Sequence, residues 1–313
     1  MHKPFALECI PSFDISVILN EMKHMKFTSI LFILFLFPSV FAQKRAIQLN
    51  LEKGRTYYHN MRAESEIFQR TKGKTSKFEM LMETSIRYKV KSVKKDSYYI
   101  EAQYQNMRLY VNSGDGTVVD IRSEKSSENI MSQIFYQFCQ TPFHMEISKY
   151  GEIRRVEIGN LLESAVDDLP VSSDKKEKLK KELELSYGEK SFKGNFEIIT
   201  LIYPNTLVDM NETWQTKTRI LSRQMDAELL NTYQWTGNAK NGLMVEGKAS
   251  ILSDQKMEND QLKKVDGSSS ISMILDEKSG WIRSATVHQS MRLGNKDEDG
   301  YLYTKIKTTY SDH

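Results

Sequence analysis

The sequence is short of the residues that usually announce a site. Two cysteines occur in 313 residues, Cys9 and Cys139. Cys9 falls in the leader described below, which leaves Cys139 alone and rules out an intrachain disulfide in the remainder. Beside Phe138, at helical spacing, Cys139 reads as a small buried hydrophobe and not as a nucleophile. An excess of one charge is missing too. Lys and Arg number 44 against 41 Asp and Glu, a net +3, and the two signs interleave. Nothing in that balance suggests a nucleic-acid partner. There is no His-Glu-x-x-His run, no Gly-x-Ser-x-Gly elbow and no phosphate-cradling glycine pattern. After residue 42 the histidines are His59, His144, His288 and His313, none close to another in sequence. No metal, cofactor or catalytic residue is expected. The chain leans away from an enzyme, short of excluding carboxylates that meet only on folding.

Long apolar runs are absent apart from one. Met22 to Lys26 is charged, Phe27 to Phe37 is apolar, and Pro38-Ser39-Val40-Phe41-Ala42 presents small residues at the cleavage positions. This is the pattern of a secretory signal peptide, with cleavage expected after Ala42 and a periplasmic or secreted product. The run is too short for a bilayer span, so no transmembrane anchor is expected in the mature chain. Gln43, not Cys, follows the cut, which excludes a lipidated anchor. Residues 1–21 show no period and precede Met22 and Met25, one of which is the expected start.

What the sequence has in quantity is alternation. Phe78, Met80, Met82, Thr84, Ile86, Tyr88 and Val90 occupy every second position, with Glu79, Glu83, Arg87 and Lys89 among the residues between. Period 2 of that length predicts a half-buried strand. A polar turn at residues 94–97 then leads to Tyr98, Ile100, Ala102 and Tyr104, completing an antiparallel hairpin. A phase change at Met107 predicts a bulge near Gln105-Asn106. Ile47, Leu49 and Leu51, the run Tyr57 to Ile67, and Phe196 to Ile202 also read as strands. Helical spacing appears at Ile130, Ile134, Phe135 and Phe138, at Leu161 to Leu169, and behind Asp174 with Glu177 as a capping box and Gly188 as a C-cap.

The plan is therefore mainly β: a large curled antiparallel sheet, half-barrel-like, built from two similar halves with two or three helices packed on one face. Residues 1–42 form the upstream segment and leader, 43–160 a first β half with one helix, 161–190 a helical insert, and 191–313 a second β half. The similarity of the halves rests on two matches in the same order. Tyr88-Lys89-Val90 and Asp96 to Ala102 correspond to Tyr233-Gln234-Trp235 and Asn241 to Gly247 at an offset of 145. Gly151-Glu152-Ile153-Arg154 corresponds to Gly280-Trp281-Ile282-Arg283.

The signal peptide, the Gly54-x-x-Tyr57 opening, and Tyr203-Pro204 followed by Trp214 resemble an uncharacterised family of secreted or periplasmic β-rich proteins from Bacteroidetes-type bacteria. The architecture also resembles the periplasmic lipoprotein-carrier half-barrels. That second resemblance implies a curled sheet holding acyl chains on its concave side.

One ligand pattern needs weighing. Asn295-x-Asp297-x-Asp299-Gly300 matches the first half of a calcium loop, but its twelfth position is Ile306 and it joins strands. It reads as an acidic turn. The methionine and aromatic residues of the strands, Met61, Phe78, Met80, Met82, Met244, Met273 and Met291, are the candidate ligand-binding residues, because flexible thioethers suit an adaptable apolar surface. The leading expectation is a non-catalytic cell-envelope binding protein for a lipid-like or other apolar ligand, or for an envelope component. The rivals are a secreted hydrolase of envelope or extracellular polymers, with His144 and a carboxylate in a cleft, and an outer-membrane β-barrel.

Overall fold

The computed structural model describes residues 44–222, 225–256, 262–294 and 300–312. The leader and residues 295–299 of the acidic turn lie outside the described residues. Lys44–His313 is one compact unit.

The alternating runs become strands: β1 (Thr56–Thr71), β2 (Lys74–Val93), β3 (Ser97–Asn112), β4 (Val118–Arg122), β5 (Phe143–Ser148), β6 (Ile153–Glu157), β7 (Thr213–Ser222), β8 (Met225–Ala239), β9 (Gly242–Lys256), β10 (Leu262–Asp276), β11 (Ile282–Leu293) and β12 (Leu302–Ser311). Four helices intervene: α1 (Ile130–Gln140), α2 (Gly159–Asp167), α3 (Ser173–Tyr187) and α4 (Glu189–Thr200). The strands form one 12-stranded sheet in the order β6-β5-β3-β2-β1-β12-β11-β10-β9-β8-β7, with β4 beside β3. Every pairing is antiparallel, and the sheet is not closed. The predicted bulge is present: Ser85 pairs with Asn106 and Ile86 with Tyr104, so Gln105 is left over.

The edges β6 and β7 are bridged by α4, which packs on both. The Glu197 carboxylate accepts from the Ile153 amide at 2.8 Å on β6, and the Trp214 indole of β7 donates to the Ile202 carbonyl at 2.8 Å. Covering open edges in this way blocks pairing with other chains.

Three local readings are corrected. Phe196 to Ile202 is not a strand but the end of α4, because Phe192, Phe196 and Ile199 recur at helical spacing, which a short apolar window conceals. Ile47, Leu49 and Leu51 are buried as alternation requires, yet they form a strap outside the sheet, whose Leu49 and Asn50 amides donate to the Lys149 and Ser279 carbonyls at 2.8 and 2.7 Å. The capping box is not formed: α3 begins two residues earlier than that box requires, after Ser172, and Glu177 pairs with Lys181 instead. Gly188 does end α3, but at φ −62° and not left-handed, because α4 starts from the same residue.

The halves repeat one plan down to their irregularities. The 145-residue offset carries Lys91 onto Thr236, and these are the skipped residues where β2 meets β3 and β8 meets β9. Arg154 and Arg283, the arginines of the two Gly-x-Ile-Arg turns, are likewise the skipped residues of β6 and β11. Each then reaches the tip of the neighbouring hairpin. Arg154 donates to the Asp96 carboxylate at 2.7 Å, and Arg283 to the Lys240 carbonyl at 3.1 Å. The Lys149 amide donates to Asp96 O at 2.9 Å as the Glu277 amide does to Asn241 O at 3.2 Å. Gly151 and Gly280 share positive φ, 83° and 68°. Each admits a passing backbone where a Cβ would collide: the end of α4 at Thr200 O, and the strap at Gln48 O.

These two glycines should tolerate substitution worse than the arginines beside them. Gly151→Ala is expected to lower the unfolding free energy in urea by about 3 kcal/mol or more, from a positive φ and a backbone collision together. Arg154→Ala, at a largely exposed ion pair, should leave the midpoint nearly unchanged. Equal midpoints for the two variants would contradict the close approach.

Candidate functional site

Direct cross-strand partners share a face, so register assigns each candidate. His59 faces Ile86, Met61 faces Thr84 on β2 and Tyr310 on β12, and Ala63 faces Met82. This is the apolar face of the sheet. Over it lie Tyr187 from the end of α3 and Phe192, Phe196 and Ile199 of α4, with Phe192 and Phe196 stacked at 4.0 Å. Between sheet and helices a cavity of about 200 Å³ remains. Its wall includes His59, Met61, Met82, Tyr88, Trp281 and Tyr310, and contains no Asp, Glu, Lys or Arg.

His59 is the chemically distinct group in that wall. Its ring stacks on Trp281 at 4.4 Å and 19°, with Tyr88 edge-on at 5.6 Å. Trp281 is held in turn by its indole N–H, which donates to the Tyr58 carbonyl at 3.1 Å. Burial pushes the His59 imidazole down to about 4, opposed only by a hydrogen bond to the backbone of Ile282. The ring is therefore neutral at physiological pH. Nε2 is buried and has no hydrogen-bond partner. An orphaned buried polar atom costs about 1–3 kcal/mol, a cost most interiors avoid. Burial also raises the phenols of Tyr88, Tyr104, Tyr187 and Tyr310, that of Tyr310 to about 12, so all stay protonated.

The structure brings only some of the candidates to this cavity. Met61 and Met82 line it. Phe78 and Met80 lie farther along the same face, opposite Ile67 and Ser65, and are partly buried. Met273 is buried in the core between Val245 and Ala285. Met291, with Ile198, packs against a separate apolar cluster of Ala227, Leu229, Ala249, Ile251 and Val265. Met244 points from the opposite face and is 39% exposed. His59 shares the parity of Tyr57 and Met61, so the alternation of that run puts it on the apolar-leaning face, but no motif gives it a role. Nor does the sequence mark Trp281 and Tyr310, which join His59 only through tertiary pairing.

The open concavity of the sheet is on the charged face. A groove of about 1210 Å³ is lined there by two cross-strand rows two residues apart, one running through Lys248, Ser270, His288, Lys307, Glu64 and Leu81, the other through Ser268, Ser290, Lys305, Glu66 and Glu79; Met80, on the row between them, also borders it. Its acids are largely neutralised: Lys77 bridges Glu66 and Glu79 at 2.8 and 2.9 Å, and Arg62 pairs with Glu64 at 2.8 Å. His144 also faces that side of the sheet, stacked on Tyr99 with its Nε2 3.8 Å from the Glu101 carboxylate. Among the described residues no helix is long and apolar enough to cross a membrane.

Comparison with known proteins gives a family and no function. A family model described as "Family of unknown function (DUF6263)" matches residues 95–282, more than half of the chain. No curated protein matches. Among solved structures, one titled for lipid–protein interactions in lipovitellin is similar at TM-score 0.49 and 10% identity, over 84% of this chain and 25% of that one. The translocator domain of the autotransporter NalP from Neisseria meningitidis follows at TM-score 0.24 and 6% identity, over 95% and 97%. A DUF1329 family protein from Desulfovibrio piger is similar at TM-score 0.14 and 11% identity, over 80% and 83%. Similarity this low carries no argument about a ligand.

The depressed His59 gives a pH signature. Unfolded, the imidazole binds a proton below about 6.5; folded, only below about 4. Its contribution to stability is fully present above about 6.5 and is lost as pH falls toward 4, a change of about 3 kcal/mol. His59→Phe should lose that component. The difference in urea stability between wild type and variant, measured at pH 7 and pH 4, should shift by this amount in the variant's favour at low pH. A constant difference would mean that His59 titrates normally.

Proposed function

We propose that this chain, which belongs to the family of unknown function DUF6263, is a non-catalytic binding protein of the cell envelope, secreted or periplasmic, that holds an apolar ligand between its sheet and α4. The observation that carries this reading is the cavity of about 200 Å³ with no charged side chain in its wall. Protein interiors otherwise pack about as densely as organic crystals. Enclosed apolar space with a few polar groups is the usual form of a small-molecule site. Met61 and Met82 give the wall side chains that adjust to an occupant. The leader pattern at residues 22–42 supports the location.

The volume limits the ligand. An engineered cavity of roughly 150 Å³ takes benzene, so this one suits a compact apolar molecule or the end of a longer chain. The hydrolase reading draws on His144, which lies between Glu101 and Glu157 in cross-strand register and stacks on Tyr99, but on the face away from the cavity. The membrane-barrel reading is disfavoured by the unclosed sheet and by α4, which covers part of the apolar face that a barrel would turn to lipid.

Native mass spectrometry of the protein purified from its own host, followed by solvent extraction, tests the proposal. The expected outcome is a stoichiometric apolar molecule. It should be absent from a Met82→Trp variant that keeps the wild-type circular dichroism spectrum. A wild-type protein that flies empty, with nothing extractable, would overturn the idea of a tightly held ligand.

A further inference from the structure

The groove on the charged face has features that solvation alone does not explain. It crosses the sheet from β8 to β3 and encloses about 1210 Å³, more than the ~300–1,000 Å³ usual for a compact small-molecule pocket. Its charges are unevenly placed. The three acids of the lining, Glu64, Glu66 and Glu79, all stand on β1 and β2. Each is already engaged, Glu64 by Arg62 and the other two by Lys77. From β8 to β12 the lining contains no Asp or Glu, yet it presents Lys248, Lys305 and Lys307, all exposed. Among the described residues none of these three ammonium groups is within 4.0 Å of a carboxylate, although Glu64 and Glu66 stand directly opposite Lys307 and Lys305 in register. Elsewhere on this face Arg62, Glu83, Arg108 and Asp120 answer one another across strands. Unanswered cations are therefore a local departure from the rule that opposite charges face each other.

Hydroxyls lie between the lysines. Ser270 and His288 separate Lys248 from Lys307 in one row, and Ser268 and Ser290, their oxygens 3.3 Å apart, lead to Lys305 in the other. Three strand spacings, roughly 14 Å, divide Lys248 from Lys307. No single carboxylate or phosphate group reaches both, but an extended chain does. We propose that the groove binds an acidic polysaccharide, its negative groups on Lys248, Lys305 and Lys307 and its sugar hydroxyls on the serines between them. The site is on the opposite face from the apolar cavity and stands or falls without it. Nucleic acid fits less well. Bases need bare aromatic faces, and the groove's two rings, Tyr303 and Tyr110, already carry Arg292 at 5.6 Å and Arg108 at 6.0 Å. An acidic peptide supplies charge but not the ring hydroxyls that the serine rows would meet.

The test uses four polymers and the intact chain, with binding followed by calorimetry at low and at physiological salt. Polygalacturonate, which bears one carboxylate on each sugar, is the probe. Dextran is neutral, polyglutamate is acidic without sugar hydroxyls, and single-stranded DNA is acidic with bases. Polygalacturonate is expected to bind, more weakly as salt rises, and dextran not to bind. Lys248→Ala together with Lys307→Ala should weaken polygalacturonate roughly three- to thirtyfold, the worth of two exposed ion pairs. Lys175→Ala with Lys178→Ala, the same loss of charge on the exposed side of α3, should change it less than about twofold. Absence of polygalacturonate binding, or equal weakening by the two pairs, would overturn the site. Polyglutamate or DNA binding as tightly as polygalacturonate would overturn the assignment to a glycan. The comparison of polymers needs only the wild-type chain, so it decides the matter even if a variant does not fold.

Discussion

The pairing of β1 with β12 is the constraint on which the rest depends. It joins the two ends of the described chain over a ten-residue register, Asn60 against Ser311 through Gln69 against Leu302. Without it the chain would be two antiparallel meanders, each with an extra open edge. With it, one sheet runs from β6 to β7, with α4 bridging those two edges. A contact between residues so far apart in sequence costs loop-closure entropy before it returns anything. The reward is that both apolar faces enter one core, in which Tyr57, Tyr88, Trp281 and Ala285 are all buried.

The same pairing creates the site. It sets Tyr310 beside Met61, and it brings β11, with Trp281 at its start, near His59 on β1. The strap at Ile47 to Leu51 fastens the arrangement from outside the sheet by bonding to both Gly-x-Ile-Arg turns. Repetition explains how one short segment can do this: the two turns carry the same bulge, the same positive-φ glycine and the same arginine reaching a hairpin tip. The cavity is the place where the repetition breaks down. Helices α2 to α4 follow β6, whereas β12 follows β11, so one half lays helices over its apolar face.

Charge is arranged to leave that face dry. Alternation sends Glu79, Glu83, Arg87 and Lys89 to the side opposite Met80, Met82, Ile86 and Tyr88, where Arg62, Glu83, Arg108 and Asp120 link in series across four strands. Exposed pairs of this kind contribute little stability singly. Their importance lies in register, since a slip by one residue would turn every charge inward.

The long hairpin, the polarity of its faces, the bulge at Gln105 and the first three helices are legible in the residues, because periodicity and turn chemistry act over a few positions. The likeness of the halves was legible for the same reason, in Asp96 to Ala102 against Asn241 to Gly247. Phe196 to Ile202 was misread because a short apolar run has no clear period, and Ile47 to Leu51 because alternation marks a buried side and not a ladder. Which face is roofed by helices and which is an open groove depends on contacts between residues far apart in the chain. Those contacts alone separate Met61 and Met82 from Met244, Met273 and Met291, which have the same chemistry and different surroundings. His59 is the clearest instance. Its parity on β1 placed it on the apolar face, but its neutrality and its unpaired nitrogen arise from Trp281, Ile282 and Tyr310, which reach it only when β12 closes on β1.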